Sequence, residues 1–324
     1  MTLCNNHLNI EKIKIPIDAI FCFIADVLQN NASVKKIVVI TKNDINIAKH
    51  SSNLSFCDPS ISIASIKNFN NQGLFNSRQI GHYLESLSAF KRIEKNIVLF
   101  SSFEASVKQS IPSYQNSSIS CYNTTYNDLL AKLNDFGYER VSSCTDIYQY
   151  AVRGSVIDFT RSPVIFNKNN PHKNDQCYRI DFLNDKPEAI FEFNLETQLR
   201  TSKITHAINK YTDEPELNVP FISPVKEVFS NQESIDIFKH KLANNQDKIN
   251  QEDIESLEMG LANCSITLLS NLDMFFKEPL STLYDYLDES CYLIFEPMSQ
   301  EDVNFVLLNL KTMPQVVILE ANIF

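Results

Sequence analysis

Apolar positions along the chain recur with two spacings, and the spacing changes twice. In the first third, Ile37 to Ile40 is a short β-branched run ending in the polar Thr41 to Asn43, and Asn96 to Phe100 is a second, ending in Ser101 and Ser102. Both patterns predict buried strands. Between them Ile80, Leu84, Leu87 and Phe90 recur at three- and four-residue intervals, which predicts an amphipathic helix over 77–93. Strands alternating with a helix make an α/β layer.

Tyr114 to Tyr122 is rich in Ser and Asn and suits a connection. A helix is predicted after it. Thr125 and Asp128 have capping-box spacing, Leu129, Leu130, Leu133 and Phe136 form an apolar stripe, and Gly137 supplies the stop. The period then falls to two. Tyr148, Tyr150 and Val152 face one way and Gln149, Ala151 and Arg153 the other, a second strand covers 155–159, and Gly154 bends or bulges the chain between them. Past a polar loop from Arg161 to Gln176, Tyr178, Ile180 and Phe182 share one strand face and Arg179, Asp181 and Leu183 the other, and Ala189 to Phe193 makes a fourth strand. The pattern is that of a one-sided antiparallel sheet with a helix beside it.

The last third returns to α/β spacing, with helices predicted at Ser234–Leu242 and Asp253–Ala262 and strands at Tyr292–Phe295 and Val316–Leu319. The expected organisation is an α/β domain in two parts, residues 1–113 and 207–324, interrupted by a β-rich α+β domain at 114–206.

The 324-residue length suits two or three domains, and 44% hydrophobic residues exclude a disordered chain. The net charge of −10 is concentrated at the end, where residues 207–324 hold 20 Asp/Glu against 7 Lys/Arg. That field opposes phosphate-backbone binding, so tight direct nucleic-acid contact is not expected. The Met1–Asn9 terminus has no basic run before an apolar one, and Asp18 and Asp26 interrupt Ile15–Leu28, so neither an export signal nor a membrane span is expected. A cytoplasmic setting follows, in which the eight cysteines are read as reduced thiols, many of them buried as small apolar groups.

Catalytic signatures are sparse. The five glycines form neither G-x-G nor a P-loop, and there is no G-x-S-x-G elbow. No cofactor, metal or catalytic residue is assigned. His82 and Glu85 lack the second histidine of a zinc motif, and a solvated or capping histidine is the simpler reading. Cys144 or Cys177 with His172 as base would give a cysteine-dependent hydrolase, and a divergent nucleotide hydrolase is the other enzymatic alternative. The acidic group Glu252, Asp253, Glu255 and Glu258 reads as the wet face of a helix.

Four ordered blocks, FGYERV (136–141), YAVRGSVIDF (150–159), CYRIDFLND (177–185) and FNLETQ (193–198), resemble a run shared by the excision-repair helicase UvrB and the transcription-repair coupling factor. PLSTLYDYL (279–287) followed by CYLIFEP (291–297) resembles a later part of the same region. The resemblance is closer to the coupling factor, whose amino-terminal module is a degenerate, non-hydrolysing copy of the helicase fold. Correspondingly, Asp18 to Gln29 contains no glycine. It implies a degenerate helicase-like α/β domain with a parallel sheet, interrupted by a small domain that docks onto UvrA, the damage-sensing ATPase. It also implies that the chain is a non-catalytic adaptor.

Matched residue by residue, the resemblance places Arg153, Arg179, Asp181 and the apolar anchor Leu183 at the UvrA contact. The alternative for the arginines is a salt bridge within the sheet, to Asp158 or Asp181. The Gln-Arg pair of the family appears as Gln198, Leu199, Arg200, a displacement by one place that in a strand turns Arg200 to the opposite face. The remainder of a longer coupling factor is a further candidate partner, and masking of the docking face inside such a protein is the architectural alternative.

Overall fold

The computed structural model describes residues 10–16, 19–68, 77–166, 176–204, 220–227, 232–243, 272–312 and 314–320. In chain order its first part comprises β1 (Ile10–Ile13), α1 (Ile20–Asn30), β2 (Lys36–Thr41), α2 (Asp44–Cys57), β3 (Ser62–Ile66), α3 (Ser77–Arg92), β4 (Ile97–Ser102) and α4 (Phe103–Ser106). The middle comprises β5 (Ile119–Ser120), α5 (Tyr126–Phe136), β6 (Glu139–Arg140), β7 (Gln149–Arg153), β8 (Val156–Arg161), β9 (Ile165–Phe166), β10 (Gln176–Leu183), β11 (Lys186–Phe193) and β12 (Arg200–Ile204). After these come β13 (Phe221–Ile222), α6 (Gln232–Ala243), β14 (Cys291–Phe295), α7 (Gln300–Asn309) and β15 (Gln315–Leu319). The helix expected at Asp253–Ala262 and its acidic group lie outside the described residues, as do Asp18 and His172.

A seven-stranded sheet takes the order β1-β15-β14-β2-β4-β3-β9. All its pairings are parallel except β3 with β9. Its centre is buried on both faces, which is why β2, β4 and β14 read as unbroken apolar runs. Alternate residues serve two cores. Val38, Ile40 and Leu99 meet α3 residues Leu84, Leu87 and Phe90, while Ile37, Val39 and Phe100 meet Ile20 and Ile24 of α1 and Leu54 of α2. The fold is α/β with a separate β-rich region. No helix among the described residues is long and apolar enough to cross a membrane.

The second sheet has the order β12-β11-β10-β8-β7-β6. Its inner face, Tyr150, Ile157, Phe159, Tyr178, Ile180 and Phe182, packs on Leu129, Leu133 and Phe136 of α5, as the period-two pattern requires. Thr125 caps α5, its Oγ1 accepting the Asp128 N–H at 3.2 Å. Gly137 ends the helix at φ +94°, a conformation open to glycine. The expected polar loop from Arg161 to Gln176 is corrected at both ends. Arg161 and Gln176 extend the flanking strands, and Ile165–Phe166 forms β9, because this apolar pair finds an open strand edge on β3.

Between the two sheets lies a buried polar seam. Glu85 of α3 accepts hydrogen bonds from Arg161 Nε at 2.7 Å, Tyr148 OH at 3.1 Å and Ser162 N–H at 3.3 Å. Burial works against the charge on Arg161, and Glu85 together with Tyr138 and Tyr178 outweighs it and holds the guanidinium above its ordinary range. Gly81, one turn earlier on α3, allows this approach: a Cβ there would stand 2.5 Å from the Tyr148 ring. His82 Nδ1 lies 3.0 Å from Ser162 Oγ. Glu85 is committed to the seam and His82 turns to Ser162, so this pair is a packing device.

At the carboxyl end of the parallel strands, Glu296 binds the Lys42 N–H at 3.1 Å, Asn46 Nδ2 at 3.0 Å and His50 Nε2 at 2.6 Å. Burial works to raise this carboxyl, and the hydrogen bonds outweigh it, leaving it below its usual value of 4.5. A depressed carboxyl contributes stability that is present above its unfolded pKa and lost as pH falls through the folded one. The stability gap between the parent and Glu296→Gln is therefore expected to be full at neutral pH and to shrink below pH 4.5. Urea unfolding at stepped pH checks this, and a gap unchanged between about pH 5 and about pH 3 would refute it.

Candidate protein-interaction surface

The outer face of the second sheet follows from register. Ala151, Asp158, Arg179, Phe191 and Lys203 stand side by side across five strands. The next row on that face holds Arg153, Val156, Asp181 and Ala189. Arg153, Arg179, Lys203 and Phe191 therefore share a surface opposite the face that packs on α5.

Asp158 organises this face. Its side chain is 1% exposed, and Arg179 holds it bidentately, Nε to Oδ1 at 2.6 Å and Nη2 to Oδ2 at 2.8 Å. Arg179 Nη1 donates to the Gln198 carbonyl at 3.2 Å, and its guanidinium lies 5.2 Å from the Phe193 ring centre. The hydrogen bonds to Asp158 raise the Arg179 pKa further. Arg153 reaches the same carboxylate at 3.7 Å and donates to Ser143 Oγ at 3.2 Å. Ser143 in turn donates to Gln198 Oε1 at 3.0 Å. The result is a closed ring, Asp158–Arg179–Gln198–Ser143–Arg153, which passes through Gln198 by its main-chain carbonyl on one side and its side-chain amide on the other.

Both arginines thus make the contact within the sheet to Asp158, but with different remainders. The Arg179 side chain is only 11% exposed, whereas Arg153 is 44% exposed and presents an open edge. Leu183 is 57% exposed at the end of β10. Asp181 accepts from Arg200 Nη2 at 2.8 Å.

Arg200 corrects a sequence expectation. The register slips between Glu192 and Phe193, so Arg200 pairs with Phe193 and Thr201 is left over. This bulge turns Arg200 back onto the Arg179 face, where it lies 4.3 Å from the Phe191 ring centre, with Lys203 6.0 Å from the same ring.

The FNLETQ block forms the turn that delivers Gln198. Asn194 Oδ1 accepts the Glu196 and Thr197 N–H groups, and Gln198 closes the turn with φ +60°. Residues 122–209 match the family model of the UvrB interaction domain. Similar proteins include the transcription-repair-coupling factors of Rickettsia conorii, 27% identical over 179 residues, and Rickettsia typhi, 26% identical over 179 residues. Each alignment covers 55% of this chain and 14% of the relative, so the chain spans a small part of their length.

Within residues 122–209, the sequence named Arg153, Arg179, Asp181 and Leu183, and the structure adds Ser143, Phe191, Phe193 and Lys203 to the Arg179 face. Strand alternation through Arg179 placed Phe191 and Phe193 on its face only once the β10–β11 register was known. Cys144 and Cys177 are buried on this same side of the sheet in a small core with Ala151 and Phe193. Burial pushes the Cys144 thiol up to about 12, which leaves it protonated and a poor nucleophile. Among the described residues no group of three or more His, Cys, Asp or Glu could hold a metal ion.

Proposed function

We propose that the chain is a non-catalytic adaptor module of transcription-coupled nucleotide excision repair, and that it recruits a UvrA-like damage-recognition ATPase through the outer face of its UvrB interaction domain. The observation that carries this reading is the arginine ring around Asp158, with Leu183 exposed on the same face. A buried carboxylate fixes the cations in place, so a partner surface bearing carboxylates meets preorganised donors and little side-chain entropy is lost on docking. Arg153 and Leu183 touch the partner. Arg179 and Asp158 act through position, holding Arg153, Gln198 and the Phe193 ring.

Calorimetric titration of UvrA into the chain tests this division. Arg153→Ala is expected to weaken binding by about 1–3 kcal/mol with its unfolding midpoint unchanged. Arg153→Lys should lose much of the same affinity, because an ammonium cannot bridge Ser143 and a partner carboxylate as a planar fork does. No binding by the parent, or equal affinity for the parent and Arg153→Ala, would refute the proposal.

A further inference from the structure

The joint between the two sheets continues into the arginine ring. Arg78, Gly81, His82 and Glu85 lie on one side of α3, and each meets a residue from 146–162. Arg78 pairs with Asp146, Gly81 receives the Tyr148 ring, His82 meets Ser162, and Glu85 accepts from Tyr148 OH and Arg161. Tyr148 stands at φ +61°, a left-handed conformation that is strained for a bulky aromatic and persists only where the surroundings hold it. They do so here from both sides. The Tyr148 N–H donates to the Thr160 carbonyl at 3.1 Å, its carbonyl accepts the Glu139 N–H at 2.9 Å, and its ring and hydroxyl are seated on α3.

Segment 143–148 runs from the arginine ring to this seat. At one end Ser143 Oγ bonds Arg153 and Gln198, and Gln198 Nε2 donates to the Cys144 carbonyl at 2.8 Å. In between, Gln149 Oε1 accepts the Thr145 N–H at 2.9 Å and the Asp146 N–H at 3.0 Å. Asp146 Oδ1 accepts the Ile147 N–H at 2.8 Å, while its other oxygen faces Arg78.

We propose that Tyr148 is a positioning residue for the docking face, and that segment 143–148 couples the seating of its ring on α3 to the placement of Ser143 and Arg153. The two states are a seated ring with a left-handed backbone and a withdrawn ring with the backbone relaxed to the extended region. Withdrawal shifts the far end of the segment, so Arg153 loses the Ser143 hydrogen bond that aims it, and UvrA must order that arginine on binding. The large sheet, through α3, thereby governs a surface to which it contributes no residue.

Gly81→Ala tests this from outside the docking face. Alanine suits a helix better than glycine, while its Cβ would stand 2.5 Å from the Tyr148 ring and deny it the seat. Calorimetry is expected to show UvrA binding weakened by roughly two- to thirtyfold. Tyr148→Gly, which accepts φ +61° but carries no ring, should lose as much. The double variant should lose no more than either alone, since both act through one contact. Hydrogen exchange supplies a readout that needs no partner: in Gly81→Ala the Thr145 and Asp146 amides should exchange faster, while those of β8 and β10 keep the protection of the parent. Undiminished affinity in Gly81→Ala, losses that add in the double variant, unchanged exchange at 143–148, or protection lost throughout β8 and β10 would each overturn the coupling. The affinity arm rests on the proposed UvrA docking. If the parent itself fails to bind UvrA, that reading falls, and faster exchange confined to 143–148 still upholds the control of the segment by α3.

Discussion

Glu85→Ala is expected to lower the unfolding free energy by about 3–5 kcal/mol, the range for removing one partner of a buried ion pair. Arg161 would remain buried with its charge and lose its carboxylate, and Tyr148 OH and the Ser162 N–H would lose their acceptor in the same step. The replacement would also open space beside α3 that the Tyr148 ring, held against Gly81, is poorly placed to fill. Urea unfolding followed by circular dichroism measures the change. A double replacement, Glu85→Leu with Arg161→Met, should recover the part of the loss that comes from the stranded charge, while Tyr148 OH and the Ser162 N–H still lack their acceptor. A loss below about 1 kcal/mol for Glu85→Ala would mean that the seam contributes no more than an exposed pair does.

Asp158→Ala is the second large effect, and it differs from Arg153→Ala in kind. Asp158 is too buried to touch a partner, yet it holds two arginines at once. Its removal should lower stability by about 3 kcal/mol, because Arg179 is left against Phe193 without its bidentate acceptor. It should also weaken UvrA binding, since Arg153 is then held by Ser143 alone. Asp158→Asn keeps the shape and one acceptor oxygen and should fall between the two. Urea unfolding and calorimetry on the same preparations separate the effects, and an Asp158→Ala protein with undiminished stability would show that the ring is not supported from below.

The sequence made some elements legible and hid others for identifiable reasons. β2, β4, β14 and β15 stood out because central parallel strands are apolar on both faces. α3 and α5 stood out through stripes spaced by three and four. The polar helix α2 buries only Ile47, His50, Leu54 and Ser55 and offers too thin a stripe to recognise. β3 carries two serines among its five residues, and β5, β6, β9 and β13 are two residues long, below the reach of any periodicity.

On the candidate surface, alternation through Arg179 and Asp181 was enough to set the face. The position of Arg200 was not legible, because a bulge consumes one residue of β12 and no local pattern announces it. Glu85 resembled half of a catalytic pair in sequence, and its partners Tyr148 and Arg161 come from a distant part of the chain that only the fold brings near.

Strand β9 carries a consequence for how the chain can be divided. By position it belongs with residues 122–209, yet it pairs with β3 and shields the rim of the other sheet. Lifting the matched segment out as an autonomous unit therefore removes a shutter as well as a module. The amides of β3 left behind are a template onto which a second molecule can add a strand, so the donor would be the half that turns adhesive.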